Sequence, residues 1–341
     1  MAQAQRIAWG PMAFQAVDAL QRLGLLSVAE SKGERGLTIA EAARAGRVPP
    51  YGARVLLEAG LGCGVFFLNG RNRFVLTKTG LCFLYDRMTR VNLNFMRDVC
   101  YHGAASLEKS VRRGKPEGLK ALGPWPTIYE GLSKLDPHIQ KSWFAFDHFY
   151  SDAAYSHAAT QVLARHPAMV YDVGGNTGRF ASLLCQTDSS VRVTLLDLPG
   201  QLAKAKSFLK GEPFQTRIST HPIDVLSKTP FPKGADAVWM SQFLDCFSET
   251  EIVSILKKAK RCLRPGGEIF IMEPFWDRQD QEMAAVSLLM ISLYFTTMAN
   301  GNSRMYRASD MLPLIHRAGL KVVKDQEHLG LCHTLLTCIE K

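Results

Sequence analysis

The sequence predicts an α/β fold: a C-terminal domain built on a parallel sheet, behind a mainly helical N-terminal domain with a winged-helix pattern. Three observations predict it. After His166-Pro167, four short apolar runs (169–173, 191–198, 236–243 and 268–272) alternate with helical segments, as strands joined by crossover helices do. Between Leu37 and Leu76, two short helical patterns precede two alternating runs that flank Asn69-Gly70. The length, 341 residues, exceeds what one hydrophobic core usually organises.

Taken in order, residues 14–26 place Val17, Leu20 and Leu25 near helical spacing. Thr38 followed by Glu41 is a capping box that opens a second helix, and Pro49-Pro50 stops it. Residues 51–61 read as a third helix, and the Asn69-Gly70 pair reads as a hairpin turn. From 88 to 165, aromatic and apolar residues recur at helical spacing, interrupted by Gly114-Lys115-Pro116 and Gly123-Pro124-Trp125-Pro126. The expected organisation is a winged-helix domain over 1–90, a helical connector over 91–165 and the sheet domain over 166–341.

Composition narrows the functional classes. Hydrophobic residues at 47% and charged residues at 21% exclude a mostly disordered chain. The net charge of +10 belongs to the first half, where residues up to Arg165 include 21 basic against 13 acidic side chains. Eight scattered cysteines form no C-x-x-C pair, so reduced thiols and no metal site are expected. The N-terminus lacks a signal-peptide pattern, and the apolar run 284–299 falls short of about 18 residues and contains Ser and Thr. A soluble cytoplasmic protein without membrane contact is the expectation.

The sharpest local signal is Tyr171-Asp172-Val173-Gly174-Gly175-Asn176-Thr177-Gly178, where a strand passes into a helix and glycines admit close backbone approach to a ligand. The second strand then ends at Asp197, before Leu198-Pro199. Its carboxylate is aimed at the same crevice, where it can accept both ribose hydroxyls of an adenosine. A tight turn with a capping Asp is the alternative without a ligand. A dinucleotide site is disfavoured, because the spacing follows D-x-G-x-x-x-G rather than G-x-G-x-x-G.

With these residues in place, the chain resembles the small-molecule O-methyltransferase family of plant caffeate and acetylserotonin enzymes and bacterial polyketide-tailoring enzymes. The likeness runs nearly end to end. It covers the helical N-terminal domain, the glycine loop, Leu196-Asp197-Leu198-Pro199, His221-Pro222-Ile223-Asp224-Val225, residues 236–248, and Arg264-Pro265-Gly266-Gly267 before Glu273-Pro274. The resemblance implies a Rossmann-like class I methyltransferase domain, S-adenosylmethionine as cofactor, and dimerisation through the N-terminal domain. It implies that Gly174 lies against the cofactor, that Asp197 holds the ribose, that Leu198 also touches the cofactor, and that Asp224 and Val225 frame the adenine. Ser241 falls where the family often has a Lys near the cofactor. On the residues alone, Asp224 could equally be a turn residue.

The family's catalytic base is a His in a His-Asp-Trp-Ser-Asp run, and the ungapped match here is Asp245-Cys246-Phe247-Ser248-Glu249. Asp245 therefore stands at the His position. Glu273 matches the first supporting acid, whereas the second falls in Arg304-Met305-Tyr306-Arg307, where no acid stands. An Asp works as a base towards a phenol only if burial or Glu273 raises its pKa. It could otherwise orient the acceptor while proximity does the rest, or merely cap a helix, although Ser248 with Glu251 makes the better cap. Phe146 and Tyr150 from the connector, with Met290 and Tyr294 from the helix after the fifth strand, are the expected wall for a flat aromatic acceptor.

The resulting reading is methyl transfer from S-adenosylmethionine to an aromatic oxygen, nitrogen or activated ring carbon in secondary metabolism. The acceptor is free or held on an acidic carrier protein drawn to the basic half. The missing His keeps open a member of the family that uses the cofactor for hydroxylation or pericyclic chemistry. A cofactor-sensing DNA-binding regulator is the third reading. It is disfavoured because residues 51–60 offer one Arg and no base-reading Asn or Gln.

Overall fold

The computed structural model describes all residues from Met1 to Lys341. The chain divides into two compact units, Met1–Arg97 and Asp98–Lys341. The first unit thus closes seven residues past the expected boundary, and the region expected as a separate connector belongs to the unit that holds the sheet. That assignment has a packing cause. The long helix Pro137–Leu163 buries Ala154, Ala158, Ala159 and Val162 in one cluster with Val170, Val193 and Trp239 of the sheet.

In the first unit, the helix expected over residues 14–26 is two helices, Gly10–Arg22 and Leu25–Lys32. Gly24, at φ 69°, adopts the left-handed conformation that breaks them. Thr38 and Glu41 exchange both bonds of the capping box, and the next helix runs Pro50–Gly62. Strands β1 (Phe66–Leu68) and β2 (Phe74–Leu76) pair antiparallel. The connection is longer than an Asn-Gly turn. Asn69 accepts bonds from the Arg71 and Arg73 amides, and Asn72, at φ 53°, takes the left-handed position. Leu20, Leu25, Leu26, Leu57, Val65 and Phe66 form the core. The first helix, Ala2–Ala8, buries nothing, and Ile7, Trp9 and Met12 lie open at 65–70% exposure.

The second unit is a seven-stranded sheet in the order β5-β4-β3-β6-β7-β9-β8. Its strands are β3 (Met169–Val173), β4 (Arg192–Asp197), β5 (Ile218–Pro222), β6 (Ala235–Ser241), β7 (Leu263–Glu273), β8 (Leu320–Leu329) and β9 (His333–Glu340). Strands β3 to β7 are parallel, whereas β9 runs antiparallel to β7 and β8. Order reverses between β3 and β6, so the crevice at their C-terminal ends is the switch point where such sheets take ligands. The stretch Glu282–Ala299, helix to Tyr294 and π-helical after it, reaches 18 residues with mean hydropathy 1.5. It is therefore one stretch long and apolar enough to cross a membrane by length and composition, which the shorter sequence run 284–299 had not suggested.

Candidate active site

The glycine loop leaves β3 with φ 72° at Gly174, 51° at Asn176 and 79° at Gly178, a winding that turns the chain sharply into the helix Arg179–Thr187. A Cβ at Gly174 would stand 2.2 Å from the Phe243 ring, so packing under Phe243 is itself a reason for glycine there. Asp197 closes β4 beside the loop. Its Oδ2 accepts the Asn176 amide at 2.9 Å and its Oδ1 the Leu198 amide at 2.7 Å. Each oxygen keeps a second lone pair for a ligand hydroxyl. Burial pushes this carboxyl up to about 6, opposed by the two amides. Around the crevice, Asn176 Oδ1 and Asp172 Oδ2 are buried without a hydrogen-bond partner, while Ser241 Oγ faces the Tyr155 hydroxyl. Orphaned acceptors beside an open backbone turn fit the hydroxyls and ammonium of S-adenosylmethionine. Asp224 is different: it is exposed, and its Oδ1 accepts the Leu226 amide at 2.8 Å, the local turn bond. Val225 beside it packs on the core cluster of β6 and β7.

Asp245 lies in the short 3-10 turn Leu244–Cys246 after β6 and is only 4% exposed. It caps nothing, because Ser248 and Glu251 form the capping box of the following helix. Glu273, 2% exposed at the end of β7, holds this turn from behind. Its Oε1 accepts the Phe243 amide at 3.0 Å and the Leu244 amide at 2.8 Å, while Oε2 has no partner. Burial raises Asp245 to about 7, helped by the negative charge of Asp147 and opposed by a bond from Cys246. Burial and the Asp245 charge push Glu273 well above the usual carboxylate range, against bonds from the backbone amides at 243 to 245. Two buried carboxyls so placed resist carrying two charges at once.

Arg304, from the segment where the second supporting acid is missing, is engaged elsewhere. Arg304 pairs with Glu249 at 3.2 Å and Asp310 at 3.0 Å and covers the Tyr306 ring, whose hydroxyl donates to the Phe247 carbonyl at 2.6 Å. A further acid comes instead from the long helix. Asp147, which sequence reasoning missed, is a charged residue inside the run of Phe144, Phe146, Phe149 and Tyr150. That misfit in an aromatic stripe was the available signal.

The expected aromatic wall is partly assembled. Phe146 and Tyr150 have ring centroids 5.1 Å apart. Tyr294 is buried, and its hydroxyl accepts from Trp143 Nε1 at 2.8 Å, a partner not expected from sequence. Met290, one turn earlier on that helix, is 53% exposed. Tyr129, also missed, sets its buried hydroxyl against the Cys246 thiol, within the field of Asp245. Asn300 donates to the Cys246 carbonyl and to Ser303, tying the turn to the end of the π-helical segment.

The chain matches the O-methyltransferase domain over residues 125–321 and the dimerisation2-like domain over residues 2–74. An L-tyrosine C(3)-methyltransferase of Streptomyces lavendulae is 22% identical over 92% of this chain and 85% of its own length. A 6-hydroxytryprostatin B O-methyltransferase of Aspergillus fumigatus is 25% identical over 56% of this chain and 58% of its own. Among solved structures, the mitomycin 7-O-methyltransferase MmcR superposes with a TM-score of 0.78 at 19% identity, covering 100% of this chain and 97% of the other. The S-adenosylmethionine-dependent methyltransferase SibL superposes with a TM-score of 0.73 at 24% identity over 98% of both chains. At these identities the superpositions show the fold.

Proposed function

This chain belongs to the O-methyltransferase domain family, and on that premise we propose that it moves a methyl group from S-adenosylmethionine to an aromatic small molecule in secondary metabolism, with Asp245 as the proton acceptor. When bound, S-adenosylmethionine supplies an electrophilic methyl on sulfur. Gly174, Asp197, Leu198, Val225 and Ser241 border the crevice for it, and Asp224 holds the turn beside it. The observation that carries the chemistry is the position of Asp245, buried and held at about 7. At that value it is substantially ionised at neutral pH, and its mismatch with a phenol near 10 narrows from roughly six pK units to roughly three. The proton of a phenolic O–H passes to an Asp245 oxygen as the methyl arrives at oxygen; where the methyl arrives at an activated ring carbon, the phenolic proton goes to Asp245 and the ring C–H proton then moves to the oxygen, restoring the aromatic phenol. Glu273 fixes the turn through the Phe243 and Leu244 amides.

The tyrosine and tryprostatin relatives act on aromatic rings, which supports the acceptor class. The match to a dimerisation domain and the open Ile7, Trp9 and Met12 support a homodimer with a winged-helix-type contact. The Arg in the candidate recognition helix, Arg54, pairs with Glu58 at 3.5 Å, which supports a role other than phosphate binding. Eight free thiols suit the reducing cytoplasm. Delivery of the acceptor by an acidic carrier protein rests on the surplus basic charge of the first half alone, because in the cavity of about 630 Å³ lined by Arg113, Lys115 and Lys120 the buried Glu117 already pairs with Arg113 and Lys120. Incubation with labelled S-adenosylmethionine and a panel of phenols tests the reading: labelled methyl in product is expected, and intact acceptor beside bound cofactor would refute it.

A further inference from the structure

The acceptor site gathers buried acids, and one of them, Asp147, has no ion pair of its own: burial pushes its carboxyl up to about 7, opposed by the Asn176 bond and the Arg179 charge, so it is part-ionised at neutral pH. Asp147 sits on the inner side of the helix Pro137–Leu163, with 26% of its side-chain surface open. Its Oδ2 accepts from Asn176 Nδ2 at 3.1 Å and lies 3.9 Å from His148 Nε2. Its other oxygen has no hydrogen bond and is not sealed from solvent. Asp245 feels its charge, and Tyr294 does as well.

The nearby cations make no ion pair with Asp147. Arg179 is bound by Asp152 on the same helix, and its charge reaches Asp147 only through space. Lys204 donates to Gln140 at 2.7 Å and lies 5.7 Å over the Phe144 ring. His148 shares a contact of 3.2 Å with the Thr177 hydroxyl, and burial holds its imidazole neutral, down to about 4. Separately from Asp147, the nearly sealed Glu273 side chain keeps Oε2 without a partner. Phe146 and Tyr150 flank Asp147 along the helix, and Trp143, one turn before it, donates to Tyr294. A neutral phenol offers the open Asp147 oxygen no charge beyond what water gives it; a phenol carrying a protonated amine offers an ion pair.

Resting on the methyltransferase reading, we propose that the acceptor is a phenol bearing an alkylammonium group, as a phenolic alkylamine or amino acid does, and that Asp147 selects it by accepting from that ammonium. Asp147 is thus a specificity-determining residue, distinct from the proton acceptor Asp245. The test uses the full-length protein loaded with S-adenosylhomocysteine and compares tyramine with 4-ethylphenol, the same ring without the charge, by calorimetry. Tyramine is expected to bind at least tenfold more tightly. Asp147→Asn should erase that ratio while S-adenosylhomocysteine affinity stays within about twofold, and Asp147→Glu should restore part of it. Equal binding of the two phenols, or binding of neither, overturns the inference. So does an Asp147→Asn protein that loses S-adenosylhomocysteine instead, because Asp147 would then serve the donor's own ammonium. Turnover separates this inference from its premise. Tyramine preference without methyl transfer upholds the selection by charge and refutes the methyltransferase reading, whereas equal methylation of both phenols does the reverse.

Discussion

Replacing Asp245 by Asn removes one proton-accepting oxygen and keeps the shape of a side chain that is only 4% exposed. The turn around it rests on other groups, the Phe243 and Leu244 amides on Glu273 and the Cys246 carbonyl on Asn300, so the backbone has no reason to move. A general base near neutral pK contributes typically 10²- to 10⁴-fold, so kcat/KM for a phenolic acceptor should fall by about a hundredfold or more. Because Asp245 is held at about 7 and acts only when ionised, wild-type kcat/KM should drop as pH falls through about 7. In Asp245→Asn that acid limb should vanish. Steady-state kinetics from pH 5.5 to 9 with constant ionic strength reads both effects, and calorimetry should find S-adenosylhomocysteine affinity within about twofold of wild type. Turnover within about threefold of wild type, with the acid limb intact, would refute the assignment and leave proximity as the catalytic device.

Other perturbations follow from the same geometry. Asp197→Ala takes the acceptor away from the ribose and from the Asn176 and Leu198 amides, so S-adenosylmethionine binding should weaken by about 1 to 3 kcal/mol in calorimetry; unchanged affinity would remove Asp197 from the site. Asp147→Asn should move the acid limb of Asp245 to lower pH, because the Asp147 charge is one cause of the raised value, and a limb that stays put would deny that coupling. Asp172, 2% exposed, is pushed by burial and by Asp197 to about 7. Between about 4 and 7 the folded chain therefore holds a proton that the unfolded chain has lost, and the stability this contributes disappears as pH rises through 7. Asp172→Asn should accordingly raise the melting temperature of the ligand-free protein at pH 8 more than at pH 5, on the order of 1 to 4 kcal/mol in stability; an equal shift at both pH values would contradict the sign. Ile7→Asp with Trp9→Asp should convert a dimer to a monomer in light scattering, and a wild-type monomer would contradict the dimer reading.

The parts of this account that sequence made legible are those written in local chemistry. Thr38 with Glu41 and Ser248 with Glu251 announced their helices because capping needs only a few adjacent residues. The buried parallel strands stood out as continuous apolar runs. Strand β8 was missed because its edge position mixes Lys321, Lys324, Asp325 and Glu327 into the pattern, and half-exposed β5 because Ser219, Thr220 and His221 blur it. Gly24 looked like a helix interior, since only its positive φ reveals the break. In the site, Asp245 and Glu273 could be paired by position along adjacent strands. Asp147 reaches the same space from a helix about a hundred residues earlier, and nothing in linear order links them. The engagement of Arg304 by Glu249 and Asp310 is likewise a tertiary fact that linear order does not show.

The most direct test of the central claim is mass spectrometry of the products formed by the full-length protein from methyl-labelled S-adenosylmethionine and an amine-bearing phenol, run beside Asp245→Asn. The account predicts S-adenosylhomocysteine and a singly methylated phenol in equal amounts, with both suppressed together by about a hundredfold or more in the variant. A hydroxylated or rearranged acceptor with the labelled methyl still on sulfur would contradict it.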